Sequence, residues 1–124
     1  MKQYLIQLVD DDPDLLKALG TALEDRGFVV LRANDGVEAL EQLKMAKPDL
    51  IITDLRMEPI TGFDFFQQAR KLSWLDSTPF FFLTAVEDAL AVQYSQKLGV
   101  DAYISKPVDI DDMDLIIRKK LGIF

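Results

Sequence analysis

Five short apolar runs punctuate the chain, and each is followed by a stretch whose apolar residues return with the spacing of a helix. The runs cover residues 5–9, 28–31, 50–53, 80–83 and 102–104. They are nearly continuous in apolar residues rather than alternating, as strands covered on both faces must be. The first intervening stretch sets Leu15, Leu16, Leu19 and Leu23 on one side, with Asp12 as N-cap and Pro13 in the first helical position. The second carries Val37, Leu40 and Leu43. The third follows Gly62 and turns Phe63, Phe66 and Ala69 inward. The fourth is expected over 87–98, stopped by Gly99. The fifth begins among Asp109, Asp111 and Asp112 and ends in Arg118-Lys119-Lys120, charges that suit the two ends of a helix.

Strict alternation of buried strands and amphipathic helices leaves few folds open. A parallel sheet with right-handed crossovers and helices on both faces is the expected one, a doubly wound (βα)5 unit. Its flavodoxin-like strand order, 2-1-3-4-5, puts a switch point between the first and third strands. With 124 residues and no internal repeat, low-complexity tract or linker, one domain over 1–124 is expected.

The charge balance then narrows the chemistry. Fourteen basic against 21 acidic residues give a net charge of −7. That argues against nucleic-acid binding, which needs a basic face, and against an anionic membrane surface. No apolar stretch approaches the roughly 20 residues of a membrane span. The N-terminus carries no secretory pattern, so the cytoplasm is the expected compartment. Cysteine and histidine are both absent. Disulfides, thiolate metal sites and Ser-His or Cys-His catalysis are therefore excluded, and these residues cannot supply a phosphohistidine of their own.

Carboxylates gather at the switch point. The first run ends in Asp10-Asp11-Asp12 and the third in Asp54. Hard oxygen ligands at a strand terminus suit Mg²⁺, although Asp12 also serves as a helix cap. Asp54 closes an otherwise apolar strand and is ionised without a general base, since a carboxyl titrates near 3.9. It can attack a phosphoryl group to form an acyl phosphate. Thr84 ends the fourth run, where it is either a helix cap or a hydroxyl aimed at the same crevice. Lys106 follows the fifth run, and Pro107 behind it suits a tight turn with a cis bond. That turn would aim the ammonium across the top of the sheet. Trp74 is either a surface anchor or packing against the third helix, and Tyr103 is either half-buried packing or a mobile aromatic.

Taken together, Val9-Asp10-Asp11, the 48–55 strand ending in Asp54, Gly62, Leu83-Thr84-Ala85 and Tyr103-Ile104-Ser105-Lys106-Pro107 resemble the receiver domain of bacterial two-component response regulators, of the chemotaxis type. The resemblance implies a phosphorylation-dependent switch rather than an enzyme in the usual sense. It implies Asp54 as phospho-acceptor and Mg²⁺ held by Asp11, by Asp10 largely through water, by Asp54 and by the backbone carbonyl of Arg56. Lys106 and Thr84 would contact the phosphoryl oxygens, and Tyr103 would turn inward once Thr84 has moved. Arg56 and Val86, two positions beyond the acceptor and the threonine, would tune phosphoryl lifetime. The implied partners are a sensor histidine kinase or phosphotransfer protein and an output protein or fused output domain. Phosphorylation would be read on the surface of the fourth helix, fifth strand and fifth helix, a surface suited also to a phosphorylation-dependent homodimer. The chain departs from the family in Met57-Glu58-Pro59, where the usual proline is shifted by one position.

Two other readings share some of these residues. A haloacid-dehalogenase-type phosphohydrolase also uses a strand-end aspartate, Mg²⁺, a Thr or Ser and a Lys. Its first motif would be Asp10-x-Asp12, but Asp14 stands where that motif needs Thr or Val. A receiver-like adaptor that works without phosphorylation would have no need of the full set of acidic, hydroxyl and lysine groups.

Overall fold

The computed structural model describes residues 2–123, with the side chains of Val86, Tyr94 and Ser95 outside that description. In chain order the elements are β1 (Leu5–Val9), α1 (Pro13–Asp25), β2 (Val29–Ala33), α2 (Gly36–Leu43), β3 (Leu50–Asp54), α3 (Gly62–Arg70), β4 (Phe80–Thr84), α4 (Ala89–Ser95), β5 (Ala102–Ser105) and α5 (Ile110–Leu121). All strand pairs are parallel, in the order β2-β1-β3-β4-β5. The doubly wound sheet expected from the alternation is the one observed.

Period-two alternation divides the strands between two cores. Ile6, Leu8, Leu50, Ile52, Phe81 and Leu83 pack with Leu16, Leu19 and Leu23 of α1 and with Met113 and Ile117 of α5. Ile51, Phe80 and Phe82 face Ala39 and Leu43 of α2 and Phe65, Phe66 and Ala69 of α3. Full burial of such a side chain is worth roughly 1.5–3 kcal/mol, so these two layers dominate the stability. Fully buried polar side chains in the strands include Thr53 of β3 and Gln7 of β1. Gln7, fully buried in β1, donates from Nε2 to the Ala39 carbonyl at 3.0 Å and to Gln42 Oε1 at 2.9 Å. Gln42 in turn donates to the Arg32 carbonyl at 2.7 Å.

Several local expectations need correction. β2 starts at Val29 rather than 28 and runs on to Ala33, because it follows β1 residue for residue up to Val9–Ala33. The single helix expected over 87–98 is divided into a 3₁₀ turn at Val86–Asp88, α4, and a second 3₁₀ turn at Gln96–Leu98. No large apolar residue described in this stretch is fully buried, and Leu90 is 81% exposed. Helices this short hold together mainly through a packed face, so the segment keeps only two regular turns. Val37 is exposed instead of facing the core, because α2 turns Gly36, Ala39 and Leu43 inward. Phe65, absent from the expected inward set, is fully buried beside α2. Trp74 lies in a 3₁₀ turn, Ser73–Leu75, half-exposed, with its indole N–H donated to the Leu43 carbonyl at the end of α2.

Candidate functional site

The acidic triplet after β1 divides into three tasks. The Asp10 N–H is held by the Ala33 carbonyl of β2, and its side chain, 1% exposed, accepts the Asp12 N–H at 2.9 Å. Asp11 projects into solvent above it. Asp12 caps α1, accepting from the N–H groups of Asp14 and Leu15, and Pro13 takes the first helical position. Asp54 ends β3 beside Leu83 of β4, with its side chain 11% exposed and one oxygen accepting the Leu55 N–H at 2.9 Å. Gly62 closes the loop beneath. A Cβ there would stand 2.3 Å from the Asp54 carbonyl oxygen, so only glycine lets α3 start this near the strand.

Lys106 crosses from the far side. Its N–H is donated to the Thr84 carbonyl at 2.7 Å, and the Lys106–Pro107 bond is cis. The ammonium lies 3.1 Å from Asp54 Oδ1 and 3.5 Å from Asp10 Oδ2. Burial raises the pKa of Asp54, and the neighbouring Asp10 raises it further, against the pull of Lys106. Burial likewise raises that of Asp10, opposed by the Asp12 N–H and by Lys106. For Lys106 itself burial works against the charge, but the two carboxylates outweigh it and its pKa rises. One lysine is not enough to balance this crevice.

Oxygens of Asp10, Asp11 and Asp54 all lie within 4.8 Å of one another. Hard, anionic donors at that spacing, two of them buried and under-compensated, fit a divalent cation of the Mg²⁺ type. Thr84 is buried at the tip of β4, next to Ser105 of β5. Tyr103 is half-buried in β5, with its ring edge-on to Phe82 at 6.1 Å. Arg56 is exposed at the rim and its Nε–H is donated to Asp88, not toward Asp54. The Val86 side chain lies outside the described residues.

A sequence model of the family described as the response regulator receiver domain matches residues 6–118. The chain belongs to that family. The receiver is 41% identical over 107 residues to the transcriptional regulatory protein GlrR of Escherichia coli K12, covering 84% of this chain and 23% of that protein. It is 36% identical over 116 residues to the response regulator Rre1 of Synechocystis, covering 93% of this chain and 50% of that one. It thus spans half or less of these two relatives. Among solved structures, the chemotaxis response regulator CheY4 of Vibrio cholerae superposes with a TM-score of 0.87 at 28% identity, over 97% of this chain and 99% of that one. The receiver domain of the Francisella response regulator 1452 gives 0.86 at 26% identity, over 97% and 98%.

Receivers are phosphoryl-accepting signalling switches of two-component systems and are not generally classed as enzymes; they bind Mg²⁺ at an acidic pocket. Neither the fold nor these likenesses favours the phosphohydrolase or adaptor reading. One residue of the site's rim escaped the sequence reading. Asp88 is 2% exposed and accepts both the Ala85 N–H, at 2.8 Å, and Arg56. An acid three positions after Ala85 is a visible turn-capping signal, but nothing local points to its partner on another loop.

Proposed function

We propose that Asp54 takes the phosphoryl group from the phosphohistidine of a sensor kinase or phosphotransfer protein. The observation that carries this reading is the buried Asp54 carboxylate at the end of β3, 3.1 Å from the Lys106 ammonium. A carboxylate oxygen of Asp54 bonds to phosphorus as the P–N bond breaks, and the electron pair of that bond returns to the imidazole nitrogen. Asp10, Asp11, Asp54 and the Arg56 carbonyl would hold Mg²⁺, which neutralises charge on the phosphoryl oxygens. Lys106 then exchanges part of its pairing with the carboxylates for a charge-assisted bond to the phosphoryl group. Thr84, one strand away, donates its hydroxyl to another phosphoryl oxygen, and Tyr103 fills the space it leaves.

The change is read on the surface of α4, β5 and α5, by an output protein, a fused output domain or a second phosphorylated copy. The setting is the cytoplasm, in keeping with described helices none of which is long and apolar enough to cross a membrane. Arg56 and Val86 slow hydrolysis of the acyl phosphate, so decay should quicken in Arg56→Asn and again with Val86→Gln added.

Incubation with acetyl phosphate and Mg²⁺ should add one phosphoryl group by intact mass. Asp54→Asn, Asp11→Ala and excess EDTA should each abolish or strongly reduce the label. Full labelling of Asp54→Asn would assign the acceptor elsewhere. With beryllofluoride, backbone NMR shifts should extend from Asp54 through Thr84 to residues 87–120; shifts confined to the metal loop would contradict the switch.

A further inference from the structure

Arg56 is ion-paired at the rim of the site with Asp88, a residue that has no part in the acceptor chemistry described so far. Asp88 lies in the turn between β4 and α4, with both carboxylate oxygens engaged: Oδ2 accepts the Ala85 N–H at 2.8 Å and Oδ1 accepts the Nε–H of Arg56. The two partners differ sharply in exposure, 65% for the arginine side chain and 3% for the aspartate. Burial works against the charge of Asp88, yet the Ala85 N–H and Arg56 outweigh it and hold its pKa below the ordinary carboxylate value. Asp88 is therefore ionised, and the only cation it bonds among the described residues is one that sits two positions past the acceptor.

Arg56 also feels the charge of Asp54, though less strongly than those of Asp88 and Glu87. A phosphoryl group on Asp54 would place up to about two negative charges and three acceptor oxygens there. A guanidinium offers five N–H donors in a fixed fork and cannot shed its proton. Two anions on different loops would then draw on one cation.

We propose that Asp88 is a positioning residue for Arg56: it holds the guanidinium toward the 85–88 turn while Asp54 is bare and competes with the phosphoryl group for it afterwards. Phosphoryl lifetime and the tightness of the 85–88 turn are then set by a single competition. The inference rests on Asp54 being the acceptor. A capping role alone would give Asp88 an influence on folding but none on the acyl phosphate that depends on Arg56.

The test is a cycle of wild type, Asp88→Asn, Arg56→Asn and the double variant, each labelled with acetyl phosphate and Mg²⁺ and followed by intact mass after the donor is removed. Asn at 88 can still accept the Ala85 N–H but loses its hold on the arginine. Asp88→Asn should lose its label about fivefold more slowly than wild type, the scale of an exposed ion pair turned into a rate. Arg56→Asn should lose it faster, and the double variant should match Arg56→Asn. Equal decay in wild type and Asp88→Asn, or slowing that persists without Arg56, overturns the inference. A second measurement uses wild type alone: the Arg56 Nε–H resonance should shift when beryllofluoride is added, and an unmoved resonance also overturns it. Labelling that survives in Asp54→Asn would instead remove the acceptor reading, and this inference with it.

Discussion

At the N-terminal ends of the strands, Asp49 accepts the Leu5 N–H at 2.8 Å and faces Lys2 at 3.1 Å, while Asp101 accepts the Phe80 N–H at 2.8 Å and faces Lys120 at 2.9 Å. At the C-terminal ends, Asp54 accepts the Leu55 N–H at 2.9 Å and faces Lys106 at 3.1 Å. The parts and the bond lengths are the same. What differs is the count: each lower aspartate has its own lysine and a side chain still open to water, whereas Asp54 shares Lys106 with the more deeply buried Asp10 and lies beside Asp11. The lower pairs close strand ends. The upper cluster is left anionic, and an anionic cluster is what recruits a cation. Hydrogen-bond geometry does not separate a structural aspartate from a functional one here; burial and charge balance do.

The contrast can be broken most directly with one substitution at each end. Lys106→Met removes the only cation among the described residues that pairs with the two buried carboxylates, and should cost about 3 kcal/mol in denaturant unfolding without metal, the low end for a broken buried pair. Equal losses in Lys106→Met and Lys120→Met would mean that the two ends are equivalent.

A smaller effect of opposite sign should follow from removing a carboxylate. The pKa of Asp54 is raised in the folded state, so its contribution to stability is fully present below its unfolded value of about 3.9 and is lost as pH rises through the folded value. Metal-free Asp54→Asn should therefore exceed wild type in stability by on the order of 1 kcal/mol at pH 7, and the gap should shrink toward pH 4. Denaturation in EDTA across that range checks the sign. Adding Mg²⁺ at ten times its Kd should restore about 1.4 kcal/mol to wild type and less to Asp54→Asn. The smallest effect belongs to the lower end. Lys120→Met should change stability by no more than about 0.5 kcal/mol and leave acetyl phosphate labelling intact.

The strands were legible because both faces of the sheet are covered, which writes a continuous apolar run such as Phe80-Phe81-Phe82-Leu83. Asp54 was legible because a carboxylate interrupts such a run. The expected helix over 87–98 misled because spacing marks where apolar residues recur and not whether a core receives them; Leu90 faces solvent. Val37 failed for the related reason that α2 is set by Ala39 and Leu43. Only the capping half of the role of Asp88 leaves a local signal, since its other partner is an arginine 32 residues away. Within Asp10-Asp11-Asp12 the cap at Asp12 was legible from Pro13 behind it, but the burial of Asp10 and the exposure of Asp11 were not, because they depend on which side chain turns toward Lys106.

Gln7 bears on the uniqueness of the fold rather than its stability. The buried face of α2 consists of little more than Gly36, Ala39 and Leu43, a stripe so narrow that a modest roll of the helix would lose few contacts. An apolar residue at position 7 would accept any of those settings. The amide accepts only the one that presents the Ala39 carbonyl and Gln42 together, and Gln42 is at the same time tied to the Arg32 carbonyl in β2. The pair thus acts as a rotational key, discriminating among near-equivalent packings of the shortest of the helices whose inner face is fixed against the sheet.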